Sequence, residues 1–245
     1  MPKSIRGKYA ASVGVGCVAL LVAAAGVYES LPESSRVPFK ARSFNPFAFV
    51  RLLSASRKMR NLGILAALAT APIFMGDTLQ VFAIKQWALG DAQIAQLFTG
   101  VAVSGVLANV CGGPLIKLMG LARFTLLATC STLIFWLGFS SASLKLAILG
   151  GIVGFLGPAR IVGATAMMTS EGSRLNIPQG ELSGDRANMN AWLKVIGPIV
   201  YGQLYVRGVA AGVPTAPFYL NVVLAIAALV MAQIAFADGD EATPK

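Results

Sequence analysis

The sequence predicts an all-α membrane protein with about seven transmembrane helices. Three observations predict it. The 245 residues are 56% hydrophobic and only 12% charged, about half the charged share of an ordinary soluble domain. Mean hydropathy is +0.71, and a globule that apolar could not cover its surface with polar groups. The apolar residues also fall in long blocks separated by short clusters of charge and proline. That is the layout of helices, which need about 20 apolar residues each to cross hydrocarbon. Open β-structure is excluded there, because every unpaired backbone group in lipid costs several kcal/mol, and the alternation of a barrel strand is missing.

The blocks run near 10–28, 62–84, 94–116, 124–140, 144–168, 187–207 and 215–237. The first admits two readings. Lys3, Arg6 and Lys8 ahead of an apolar run ending in Ala23-Ala24-Ala25 have the form of a cleaved signal peptide. Continuation into Gly26-Val27-Tyr28-Glu29 fits a retained span instead. The chain divides into an N-terminal segment with the first span (1–28), a basic loop (29–61), a six-helix transmembrane bundle (62–237) and a short polar tail (238–245). The loop carries Arg36, Lys40, Arg42, Arg51, Arg57, Lys58 and Arg60. By the positive-inside rule it and the C-terminus are expected on the cytoplasmic side, or its equivalent in an organelle, although the N-terminal basic trio opposes this. Within the loop, Phe44 to Leu53 is amphipathic and is expected to lie in the interface, aromatics down and Arg51 and Arg57 at the headgroups. An ordinary tether is the alternative.

Net charge is +10 and histidine is absent. The basic residues lie between apolar blocks rather than on a soluble face, which speaks for lipid and against nucleic acid as the partner. Without histidine there is no imidazole ligand and no Ser-His or Cys-His pair. No metal-ligand cluster or phosphate-cradling glycine loop appears either, so no enzymatic activity, metal or cofactor is expected. The three cysteines, Cys17, Cys111 and Cys130, lie inside apolar blocks and are expected to be small buried hydrophobes.

An ionisable group within a span costs at least about 2.5–3.5 kcal/mol and is a functional candidate for that reason. Asp77, with Gln80 near it, could bind and release a proton, or cap or pair locally. Arg160 follows Gly157-Pro158-Ala159, beside a stripe of Gly150, Gly154 and Gly157 that lets helices approach closely. It could hold an anionic substrate or a carboxylate in a central cavity, or snorkel to the headgroups. Lys194 is expected to snorkel. Asn188, Trp192 and Gln203 could line one helix face, with plain polar interhelical contact as the alternative. Glu171, Arg174, Glu181, Asp185 and Arg186 read as a solvated loop, Glu181 and Asp185 being favourably placed at a helix N-terminus.

Three stretches carry a family resemblance. The first is Leu31-Pro32-Glu33-Ser34-Ser35-Arg36, then Pro38-Phe39 and Phe44-Asn45-Pro46-Phe47. The second is Ile177-Pro178-Gln179-Gly180-Glu181-Leu182-Ser183-Gly184, leading to Ala187-Asn188 and Ile196-Gly197-Pro198. The third is Gly113-Pro114-Leu115-Ile116-Lys117-Leu118-Met119-Gly120-Leu121-Ala122-Arg123. Together they resemble major facilitator superfamily transporters, most closely the tetracycline-resistance efflux branch. They correspond to the end of helix six with the central loop, to helix eleven, and to the loop between helices eight and nine. In the third, Lys117 stands where the family has an acidic residue and Leu118 where it has a basic one, which removes a charge pair.

The resemblance implies the C-terminal six-helix half of such a carrier plus the preceding helix. It implies a conformational-switch loop at Gly113, Lys117, Gly120 and Arg123, and helix packing at Gly197 and Pro198. The implied activity is small-molecule or drug:proton antiport, with the lipid bilayer and a complementary N-terminal half or a second copy as partners. The competing expectation is a non-transporting scaffold that reuses a transporter half among other membrane subunits of a complex.

Overall fold

A computed structural model describes residues 3–26 and 45–240 of the chain. The Leu31 to Phe44 part of the basic loop, the side chains of Lys3, Arg6 and Lys8, and the last five residues of the tail lie outside the described residues. The chain falls into two compact units, residues 1–44 and 45–245. The described part of the first is one helix, α1 (Lys3–Gly26). Its apolar stretch, Val13–Ala25, is shorter than a span.

The second unit is helical throughout, with no strand among the described residues. A short helix α2 (Val50–Ala55) leads into α3 (Arg57–Thr70). Ser56 caps α3, its Oγ accepting from the Met59 amide at 2.9 Å, which satisfies one of the orphan donors of the first turn. Pro72 supplies no N–H, and the helix tightens into a 3-10 turn, Ala71–Met75, before continuing as α4 (Gly76–Gln86). The apolar helix α5 (Asp91–Met119) follows, then α6 (Leu121–Ser140). Helix α7 (Leu144–Val153) and α8 (Arg160–Arg174) flank a second break, a 3-10 turn at Gly157–Ala159 containing Pro158, where the segment bends by 53°. Helix α9 (Gln179–Ala210) holds Pro198 within it, and α10 (Ala216–Asp240) closes the bundle.

Among the described residues, four helices are long and apolar enough to cross a membrane: Arg57–Gln86, Asp91–Met119, Leu121–Ser140 and Ala216–Ala237. Counting the bent α7–α8 pair makes five. This is compatible with an all-α membrane protein and falls short of the seven spans expected. Helix α9 has the length but carries Glu181, Asp185, Arg186, Lys194 and Arg207.

Lipid tails give no hydrophobic drive between helices, so close packing must hold the bundle. The glycine stripe supplies it. A Cβ on Gly150 would stand 3.1 Å from Gly138 Cα, and one on Gly154 only 2.7 Å from the Ser131 carbonyl oxygen. Where α3, α8 and α10 meet, Leu62, Leu65 and Met168 are buried against Ala228, Ala232 and Ala235. An aromatic cluster fills the other end, Phe82 meeting Phe218 edge to face at 4.7 Å.

Several expectations are corrected. The stretch Gly113 to Arg123 is not a loop: Gly113 and Lys117 belong to α5, Arg123 to α6, and Gly120 alone joins the two helices at φ +81°. That left-handed conformation suits glycine, which has no Cβ to clash. Cys17 and Cys130 are exposed, whereas Cys111 is half-buried and packs against the cluster of Ala108, Phe124, Leu156 and Ala159. Residues 45–61 are packed into the bundle, with Leu52 and Met59 buried in its core.

Candidate functional site

The two helix breaks converge on Arg160. Its side chain is 7% exposed. Its Nε donates to the Ala69 carbonyl oxygen at 2.9 Å and its Nη1 to that of Gly157 at 2.7 Å. Both acceptors stand next to breaks whose prolines, Pro72 and Pro158, have no N–H to offer. A guanidinium has five donors in a rigid fork, so one side chain serves both interruptions. Thr132 adds a contact across the second break, its Oγ lying 3.0 Å from the Ala128 oxygen and 3.2 Å from that of Gly157. No carboxylate pairs with Arg160 among the described residues. The snorkelling alternative does not describe it, since the charge is turned inward onto backbone.

Beside Arg160 lies a cavity of about 340 Å³, walled by Ile73, Leu79, Phe98, Phe135 and Trp136 and floored by Gly105. A wider, apolar groove of about 790 Å³ opens between α5 and α7. Below the first break, Asn221 is fully buried, accepting from the Tyr201 hydroxyl at 2.5 Å and donating to Met75 Sδ at 2.9 Å. The 3-10 turn is thus tied to α9 and α10 as well.

The other sequence candidates separate into two groups. Asp77 and Gln80 on α4, and Lys194 and Gln203 on α9, are all exposed. Just before α4, the 3-10 turn packs on α9 where Gly197 meets Phe74, and a Cβ at Gly197 would come within 2.7 Å of Phe74 Cβ. Asn188 and Trp192 instead hold the segment before α2. Trp192 Nε1 donates to the Pro46 carbonyl at 2.7 Å, its ring stacks on Phe47 at 5.0 Å, and Asn188 Nδ2 donates to the Asn45 carbonyl at 3.2 Å. Phe47 thus sets one ring face on the indole while the residue stays 53% exposed. Pro158 and Pro198 are exposed within their segments, and Lys117 and Arg123 are exposed at the α5–α6 junction.

The loop acids were expected to be solvated; Glu181 is exposed, whereas Asp185 and Glu171 are buried. Asp185 is 4% exposed and accepts from Arg51 Nη2 at 2.8 Å, while Glu181 accepts from Nη1 of the same guanidinium. The hydrogen bond that Arg51 donates to Asp185 raises the Arg51 pKa above its ordinary value. Glu171 is 3% exposed and takes both arms of Arg174, at 2.8 and 2.7 Å, with the Ser56 hydroxyl donating at 3.0 Å. Arg174 stands at the i,i+3 position from Glu171, whereas Arg51 and Ser56 are partners that sequence spacing does not reveal. No group of three or more potential metal ligands occurs among the described residues. A scan against protein-family models gives no match to this chain, and a search of curated proteins gives none either.

Proposed function

We propose that this chain is a carrier half of the major facilitator type, exchanging a small molecule or drug for protons, and that it works against a complementary N-terminal half or a second copy. The observation that carries the reading is the sidedness of the bundle. Helix α10 presents Tyr219, Val223, Ile226, Val230 and Ile234 outward, a surface fit for lipid. The neighbouring helices α4 and α9 present Asp77, Gln80, Lys194 and Gln203. Lipid penalises charges at that depth by several kcal/mol, so such a face suits a water-filled passage between two halves. Carriers also build their sites from interrupted helices near the midplane, and both interruptions here meet at Arg160. On this reading α9 crosses the bilayer despite its polarity, α1 supplies the remaining span, and the basic loop and C-terminus face the cytoplasm or its organellar equivalent.

Purified chain in vesicles under an imposed pH gradient tests it. Adding tetracycline or ethidium should drive proton flux reported by a lumenal pH dye, and Asp77→Asn should abolish that flux. Absence of any substrate-dependent flux, from vesicles holding the chain with itself or with a co-expressed partner half, would overturn it. The scaffold reading is favoured by one feature, the Lys117-Leu118 departure from the family charge pair. It expects co-purification with unrelated membrane subunits at fixed stoichiometry, and indifference to Asp77→Asn.

A further inference from the structure

We infer that the cavity beside Arg160 is a binding site for a small oxyanion with an apolar body, an aromatic carboxylate being the simplest member of the class. The argument begins with what is left over in the cavity wall. Arg160 uses Nε and Nη1 on two backbone carbonyls, and its Nη2 makes no hydrogen bond among the described residues. A guanidinium so deeply buried is costly unless its donors are satisfied, and no acidic side chain lines the space. The hydroxyls on the wall are already committed, Ser104 to the Val101 oxygen at 2.7 Å and Thr132 to Ala128 and Gly157. Those hydroxyls have spent their protons, so the donors left uncommitted in the wall are the N–H groups of Arg160 Nη2.

What complements them is an acceptor carrying negative charge, and a carboxylate matches the planar fork best. The remainder of the wall is aromatic and aliphatic, so the body of the ligand is apolar. At about 340 Å³ the space lies at the small end of ligand sites, which fits a single ring rather than a large drug. The inference does not rest on the carrier reading, because equilibrium binding requires no transport.

The test is calorimetric titration of the full chain in phosphatidylcholine nanodiscs with benzoate, and with benzamide as the neutral near-isostere. Benzoate should bind saturably at one site, and benzamide at least about tenfold more weakly, since it lacks the charge that the guanidinium recognises. Gly105→Leu tests the place. A Cβ at Gly105 meets nothing within 4 Å, so the new side chain occupies the cavity without touching the Arg160 hydrogen bonds, and benzoate binding should be lost. Gly113→Leu, equally unobstructed on the same helix and outside the cavity lining, should leave binding unchanged. Nanodiscs containing phosphatidylglycerol separate the sources: weakened benzoate binding there identifies a lipid headgroup as the resident oxyanion, and undiminished binding identifies a free acid. No saturable heat with benzoate, equal affinity for benzamide, or full binding by Gly105→Leu would each overturn the inference.

Discussion

The Arg160 guanidinium donates to the Ala69 carbonyl oxygen at 2.9 Å across 91 residues of sequence, so the break in one helix is fastened to the break in another. Deleting the guanidinium should leave buried carbonyls short of donors. A hydrogen bond from a charged group contributes roughly 1.5–3 kcal/mol, and Arg160→Met is expected to destabilise the bundle by about 3 kcal/mol. Thermal unfolding in detergent measures this. Pro72→Ala restores an N–H at the junction, so the double variant should recover part of the loss. A double variant no better than Arg160→Met alone would show that the carbonyls were not the cause.

Arg51 bonds two acids that differ in burial. Its own side chain and that of Glu181 are 58% and 39% exposed, whereas the Asp185 side chain is 5% exposed. Water and salt screen the first pair and screen the second much less. Asp185→Asn is expected to lower stability by about 1–2 kcal/mol, and Glu181→Gln by less than about 0.5 kcal/mol. Arg51→Ala should match or exceed the Asp185 variant, because it leaves a buried carboxylate without its partner. Chemical denaturation in micelles, at low and high salt, ranks them, and equal effects from the two acids would contradict the burial argument.

Trp192 holds Phe47 by its ring face and Pro46 by its N–H. Trp192→Phe keeps most of the stack and loses the hydrogen bond, and Trp192→Ala loses both. Hydrogen exchange over residues 45–52 should rise modestly in the first variant and by at least about tenfold in the second, in line with about 1.5–2 kcal/mol for a half-exposed aromatic stack plus its hydrogen bond. Unchanged exchange in Trp192→Ala would mean that α2 is held by Leu52 and Arg51 alone.

These three sites mark where reading along the chain stops working. The helices themselves were legible, since length and apolarity are local properties: the blocks at 94–116, 124–140 and 187–207 each fall within one helix, and the block at 215–237 begins one residue before α10. The breaks were not read: the blocks at 62–84 and 144–168 run as single spans across Pro72 and Pro158, where the structure has 3-10 turns. What the freed carbonyls do was not legible, because their donor comes from another helix. The same holds for Asp185, whose partner lies 134 residues upstream, and for Glu171, whose Ser56 donor lies 115 residues upstream. A charge between apolar blocks is by default read as solvated, and only tertiary contact overturns that default. Trp192 was assigned to a face of its own helix, a rule blind to the Asn45 to Phe47 segment laid across it.

Glycine spacing can be put to the same test within a single helix. Gly197 and Gly202 both lie in α9, five residues apart. In a helix interior, glycine to alanine normally stabilises by about 0.5–1 kcal/mol, because the chain loses less freedom on ordering. At Gly202 nothing stands within 4 Å of the added carbon, so Gly202→Ala should show that gain. At Gly197 the carbon would lie 2.7 Å from Phe74 Cβ and 3.5 Å from its ring. The contact falls on the stem of the side chain, which cannot swing away without moving the 3-10 turn that carries it. Overpacking of this kind costs about 1–3 kcal/mol, which outweighs the helical gain, so Gly197→Ala should be destabilised by about 1–2 kcal/mol. Phe74→Leu has a slimmer body beyond the same Cβ and should relieve only the ring part of the clash, leaving the Gly197→Ala, Phe74→Leu pair still below wild type. Thermal midpoints of the single and double variants decide it: opposite signs at the two glycines support the close α9 approach to Phe74, and equal stabilisation at both would remove it.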